Sequence, residues 1–203
     1  YYYLSDNNPQ VSLAAACDSL KYFSKTFGAY QYPTLSVVQT GFTYGGMEYP
    51  ALTMIADGLD SDNHIYTIVH ETAHQWWYAM VGSNQLTDGW QDEGLAEYST
   101  VMFFESNTGY GFTRTGLITT ATAAYRAFFS VYGQLNGDVD TTMNRNLGEY
   151  AGDFEYVNVT YNKGMIMFDM LRNTIGDEKF TSCLATYFKQ FNGKIASAED
   201  LTG

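Results

Sequence analysis

Hydrophobic positions in the first third of the chain follow two registers. Val11, Ala14, Ala15, Leu20, Phe23 and Phe27 recur at the spacing that lines one face of a helix. Asn8-Pro9 precedes them, with Pro at the first helical position, and Gly28 ends the run. Residues 34–39 (Thr-Leu-Ser-Val-Val-Gln) and 52–55 (Leu-Thr-Met-Ile) are β-type runs, and the stretch between them is rich in turn residues. From about 62 to 81 the pattern predicts a helix that is apolar around much of its circumference (Ile65, Ile68, Val69, Trp76, Trp77, Met80) and hence buried on several sides. A second helix is expected over 91–104, with Thr87-Asp88 and Gln91 as its capping box. Further helices are expected over 115–132, 161–175 and 177–191. The segment 136–153 is polar and irregular, and loops of that length often carry function. The chain is therefore expected to be α+β and mostly helical, a small N-terminal sheet followed by a helical body, forming one domain over 1–203.

The helix expected over 62–81 contains His70-Glu71-Thr72-Ala73-His74. Two His four residues apart lie on one face of a helix, about one turn from each other. They can grip one Zn²⁺ while the Glu between them stays free as a base. Only three His occur in the chain, and two fall here. A catalytic zinc usually takes three protein ligands and keeps the fourth position for water. Glu93, on the next expected helix, is best placed to be the third, because the intervening loop is long enough to bring that helix back against the first. Glu97 shares its helical face; it is either the partner that fixes the tautomer of a ligating His or an ordinary surface carboxylate. Zinc lowers the pKa of its water, and Glu71 can take that water's proton as it attacks a carbonyl. One Zn²⁺ per chain is expected, on His70, His74 and Glu93, with Glu71 as general base.

Composition narrows the partners. A net charge of −12 argues against nucleic acid and anionic membrane surfaces, and no run approaches the length of a membrane span. The 45% hydrophobic content, with 18 Tyr and 13 Phe, suffices for a sizeable core. Cys17 and Cys183 make no C-x-x-C pair and are expected to be buried free thiols rather than a disulfide. Asn158-Val159-Thr160 is a lone glycosylation sequon, read as chance. Sparse Lys with abundant Tyr, Thr, Asn and Gly leans toward an extracytoplasmic setting, and the compartment stays unassigned. The Tyr-Tyr-Tyr opening and a final stretch that starts another helix suggest a segment of a longer polypeptide.

His70 to Trp77 (His-Glu-Thr-Ala-His-Gln-Trp-Trp), together with Trp90-Gln91-Asp92-Glu93-Gly94-Leu95-Ala96-Glu97-Tyr98, resembles the M1 zinc aminopeptidases of the gluzincin group. Two further segments match in order: Gly45-Gly46-Met47-Glu48-Tyr49-Pro50 is similar to the family's G-A-M-E-N segment, and Tyr161-Asn162-Lys163-Gly164 to its Y-x-K-G segment. The resemblance implies a thermolysin-like catalytic domain with the active site between sheet and helices. It implies that Glu48 holds the free α-amino group of a peptide, and that the backbone of Gly45, Gly46 and Met47 lines the peptide as an added strand. It also implies that Tyr161 donates a hydrogen bond to the developing oxyanion. Gly46 stands where Ala is usual, Tyr49 where Asn is usual, and Gln91-Asp92 where Leu-Asn is usual. The family's N-terminal β-domain and C-terminal helical domain have no counterpart in this sequence. The expected function is release of N-terminal residues from peptides with a free N-terminus. A thermolysin-type endopeptidase would differ in not requiring the free amine. A catalytically silent peptidase-like scaffold is opposed by the presence of His70, Glu71, His74 and Glu93 together. A zinc hydrolase of non-peptide substrates, as one branch of the family is, is the remaining reading.

Overall fold

The computed structural model describes residues 1–137 and 139–202. Its first helix, α1 (Pro9–Thr26), buries Ser12, Ala15, Ala16, Ser19 and Phe23. The small residues of that stripe let α1 pack closely on α2 (Ser61–Ala73). Cys17 is two positions from both Ala15 and Ser19, so it points away from the stripe. Contrary to the expectation of burial, it is exposed and free, as is Cys183. Where α1 ends, Gly28 has φ 147°, and a Cβ there would lie 2.5 Å from the Phe188 ring. Its carbonyl accepts from Trp76 Nε1 at 2.9 Å, and Trp76 meets Phe23 edge-on at 5.6 Å.

The sheet is small. β1 (Ser36–Thr40) runs parallel to β3 (Leu52–Ala56), with Ser36 opposite Leu52. β2 (Gly46–Met47) pairs antiparallel with β3, Met47 opposite Met54, and forms an edge. β3 buries Thr53, Ile55 and Ala56, and both β3 and β2 pack on α2. The sheet edge is thereby set beside the C-terminal half of α2.

α2 is capped by Asp60, whose side chain accepts from the backbone N–H groups of Asp62 and Asn63 at 3.1 and 2.9 Å. It ends at Ala73, not near Val81 as the pattern predicts. Past His74 the chain opens into wider turns, with Ala79 N–H on the His74 carbonyl and Val81 N–H on that of Trp76. These turns bury Trp76, Trp77 and Met80 and lead into β4 (Val81–Gly82), so the apolar pattern is satisfied without a helix. β4 pairs with β5 (Lys194–Ile195).

α3 (Gly89–Ser106) is the central helix, buried on every side from Trp90 to Phe104. Its expected capping box is absent. Asp88 makes no cap bond and accepts from Thr87 Oγ1 at 2.8 Å. Gln91 is drawn instead to the Tyr187 hydroxyl at 2.6 Å. α4 (Arg114–Ala127) continues through a π-helical turn (Phe128–Tyr132) into α5 (Gly133–Asn136). A second continuous helix starts earlier than predicted: α6 (Asp153–Tyr156) passes through a π-helical segment (Val157–Asn162) into α7 (Lys163–Ile175). Asn158 and Thr160 of the sequon are buried in it. Gly94 of α3 and Gly164 of α7 face each other, and a Cβ on Gly164 would lie 3.0 Å from the Gly94 Cα. That approach brings the α7 end of the π segment against the first turns of α3. The irregular stretch before α6 is tied down by Arg145, which pairs with Glu155 and lies 3.8 Å over the Tyr150 ring. Lys163 Nζ also donates to the Thr141 carbonyl at 2.6 Å. α8 (Asp177–Phe191) and α9 (Ala198–Thr202) complete the helical body. Among the described residues no helix is long and apolar enough to cross a membrane.

Candidate metal centre

α2 and α3 are neighbours, and their facing turns carry the centre. His70 and Glu71 occupy the last turn of α2, and His74 is its C-cap, still in α conformation at φ −62°, ψ −15°. Nε2 of His70 and Nε2 of His74 are 3.1 Å apart, and each is 3.2 Å from Oε2 of Glu93. All three residues are buried. Ligands 2.0–2.1 Å from a tetrahedral ion stand about 3.3 Å from one another. Two imidazole nitrogens and a carboxylate oxygen in a near-equilateral triangle therefore fit a tetrahedral divalent cation with one position left over. His74 Nδ1 is 3.0 Å from the Trp77 carbonyl; donating there leaves Nε2 with its lone pair toward the triangle. On the other ring, His70 Nδ1 lies 3.2 Å from Glu97 Oε1, an ion-pair contact without good hydrogen-bond alignment. Glu97 is held in turn by the Tyr66 hydroxyl at 2.5 Å.

The three donors polarise one another strongly. Burial opposes charging His70, yet the hydrogen bond to Glu93 and the nearby Glu97 carboxylate carry its pKa well above the ordinary range. Burial likewise opposes charging His74, and Glu93 still raises it to about 10. Burial works against ionising Glu93, but His74 and His70 hold its carboxyl well below the usual range. A divalent cation binding here would compete with the imidazole protons.

Glu71 is buried, and burial pushes its pKa up to about 7 even though His70 and His74 pull it down. Oε2 has no partner. Oε1 lies 2.2 Å from where a Cβ on Gly46 would stand. The side chain of Glu71 thus uses the space that Gly46 leaves open on β2, which gives the Gly at this position of the G-G-M-E segment a local reason.

Tyr161 reaches the centre from the middle of a continuous helix, within the π segment, and not from a helix start as the sequence predicts. Its ring stacks on His70 at 5.9 Å and 20°. Tyr156 meets the same ring edge-on at 5.7 Å. Burial and the charge of Glu93 hold the Tyr161 pKa well above its ordinary value, so the hydroxyl stays protonated. A cavity of about 490 Å³ opens on this side, lined among others by Tyr66, Glu97, Leu117, Tyr161 and Met165.

Glu48 follows β2 and is buried. Its carboxylate, that of Asp92 and a ring nitrogen of His74 lie within 4.8 Å of one another. Gln85 Nε2 donates to Glu48 at 2.8 Å and to Asp92 at 2.6 Å. Gln75 fastens the loop after β2: its Oε1 accepts from Ala51 N–H at 2.8 Å, and its Nε2 donates to the Tyr49 carbonyl at 3.3 Å. Ala51 sits in the left-handed region at φ 60°.

The structure therefore gathers His70, Glu71, His74, Glu93, Glu97, Tyr161, Glu48 and Gly46 around one point, with Gly45 and Met47 on either side of Gly46 at the sheet edge. Sequence reading missed Gln75, Gln85, Asp92 and Tyr156. Gln75 and Asp92 adjoin ligands in the sequence, which is a usable signal. Gln85 and Tyr156 carry none, lying in a loop and among many tyrosines.

The Peptidase family M1 domain matches residues 11–203. Aminopeptidase M1-D of Oryza sativa subsp. japonica is 26% identical over 141 residues, covering 68% of this chain and 15% of that protein. Among solved structures, the M1 zinc metallopeptidase from Deinococcus radiodurans superposes with a TM-score of 0.67 at 21% identity, over 98% of this chain and 40% of the other. Yeast LTA4 hydrolase superposes at 0.75 and 22% identity, over 94% of this chain and 31% of the other. The chain thus spans a small part of the relatives it matches.

Proposed function

The chain belongs to peptidase family M1, and from that premise we propose that it is the thermolysin-like catalytic part of a zinc-dependent aminopeptidase acting on peptides with a free N-terminus. The observation that carries the reading is the buried triangle of His70, His74 and Glu93 with the Glu71 carboxylate beside it. His70, His74 and Glu93 would hold the zinc, with Glu97 orienting the His70 ring. Bound there, zinc supplies Lewis-acid polarisation of the scissile carbonyl and a water acidic enough to be deprotonated near neutral pH.

The remaining chemistry belongs to side chains of this chain. Glu71, with one carboxylate oxygen unpartnered, takes the proton of the attacking water and passes it to the departing amine. Tyr161, kept protonated by burial and by Glu93, donates to the oxygen on which negative charge develops. Glu48 binds the cationic α-amine by a charge-assisted hydrogen bond. The exposed edge of β2 takes the peptide backbone as an additional strand. An amine anchor at a fixed distance from the metal restricts cleavage to the first peptide bond.

The test is Glu48→Ala in the full-length protein. Truncating one partner of a desolvated charge pair costs on the order of 2–5 kcal/mol. Hydrolysis of a free-amine aminoacyl fluorophore at low substrate should therefore fall by at least about thirtyfold, with little change for its N-acetyl counterpart. Equal losses on both substrates would remove Glu48 from amine recognition and leave the endopeptidase reading standing.

A further inference from the structure

Gln85 lies in the loop between β4 and α3, in a turn that is itself firmly tied. The Asn84 carbonyl accepts from the N–H groups of Thr87 and Asp88 at 3.0 and 2.7 Å, and the Leu86 carbonyl accepts from Leu147 N–H at 2.8 Å. From this turn the Gln85 amide nitrogen reaches two carboxylates, using one hydrogen for each: Glu48 Oε1 at 2.8 Å and Asp92 Oδ2 at 2.6 Å. The other oxygen of Asp92 accepts from the backbone N–H of Glu93 at 3.0 Å. A continuous hydrogen-bonded path thus runs from Glu48, on the sheet side, through Gln85 and Asp92 to the backbone of the metal ligand Glu93. Among the described residues Gln85 is the only donor hydrogen-bonded to the Glu48 carboxylate. A carboxylate side chain has several rotatable bonds, so without this bond the position of Glu48 relative to the triangle would be loosely defined.

We propose that Gln85 is a positioning residue that joins Glu48 to Asp92 and so fixes the span between the amine anchor and the metal, the span that sets cleavage at the first peptide bond. The inference rests on the aminopeptidase reading given above. Gln85 does not touch the substrate; it acts through Glu48.

The experiment uses the zinc-loaded full-length protein and compares kcat and KM on a leucyl fluorophore for Gln85→Leu, Gln85→Glu, Glu48→Ala and the double variant Glu48→Ala/Gln85→Leu. Gln85→Leu keeps the bulk and loses the donors. Gln85→Glu keeps the shape, loses the donors, and covers the case in which Leu disturbs folding. A hydrogen bond to a charged group contributes about 1.5–3 kcal/mol, or roughly tenfold or more. Each single Gln85 variant should raise KM about tenfold or more, with kcat within about threefold and zinc content unchanged. In the Glu48→Ala background, Gln85→Leu should add less than about twofold, because the group it holds is gone. A KM within about twofold of the parent in both Gln85 variants would overturn the proposal, and so would a full Gln85→Leu effect in the Glu48→Ala background. If Glu48→Ala itself leaves the leucyl-fluorophore KM unchanged, the aminopeptidase reading fails first, and the proposal falls with it by a distinguishable route.

Discussion

Glu71→Gln should remove about 10²–10⁴ from kcat while the protein still binds one zinc per chain. The amide has the size of the carboxylate and can occupy the space beside Gly46, but it cannot take a proton at working pH. The three donors of the triangle are untouched, because Glu71 lies beside them and not among them. The environment suits a base: burial raises Glu71 to about 7, and the neighbouring imidazoles limit the rise. A cation among the same three donors would take the place of the imidazolium charges and favour the ionised form in the same way. Zinc content by elemental analysis and kcat on a leucyl fluorophore are both needed. Full zinc with activity near that of the parent would exclude Glu71 as the base. Loss of zinc together with activity would mean that Glu71 holds the metal and that the assignment of ligands is wrong.

Tyr161→Phe should lower kcat by about 10²–10³, in the range seen when one oxyanion donor is removed, and leave KM within a few-fold. The Phe ring keeps the stack on His70 and the edge contact with Tyr156, so packing is retained and only the hydroxyl is lost. That hydroxyl is protonated at any working pH because burial and Glu93 both oppose its ionisation. A bond that strengthens only as charge develops acts on kcat and not on ground-state binding. Parallel changes in kcat and KM would assign Tyr161 to packing.

The parts of the centre that could be read from the sequence are those in which spacing alone fixes geometry. His70 and His74 are one helical turn apart whether the helix ends at Ala73 or later, since His74 keeps α dihedrals as the cap. Glu93 and Glu97 share a face of α3, and the structure brings both to His70. The mostly helical architecture and the two strands flanking the turn-rich segment also followed from periodicity. What could not be read depended on contacts between distant residues. The end of α2 is set by burying Trp76, Trp77 and Met80 from turns, which presents the same apolar pattern as a helix. The capping box failed because Tyr187, almost a hundred residues away, competes for the Gln91 side chain. The start of the helix bearing Tyr161 was placed too late because polar residues of its first turns, such as Glu155 and Asn158, are buried by Arg145 pairing and a bond to the Phe154 carbonyl. The path from Glu48 through Gln85 to Asp92 joins three segments and leaves no periodic trace in any of them.

The measurement closest to the central claim is a comparison of two substrates by the zinc-loaded full-length protein: a leucyl fluorophore and the same compound acetylated on its amine. If a buried anion reads the α-amine beside a metal held by His70, His74 and Glu93, the free-amine substrate should be cleaved with kcat/KM on the order of a hundredfold higher, and a chelator should abolish the hydrolysis of both. Equal rates on the two substrates, or hydrolysis that survives complete removal of metal, would contradict the account.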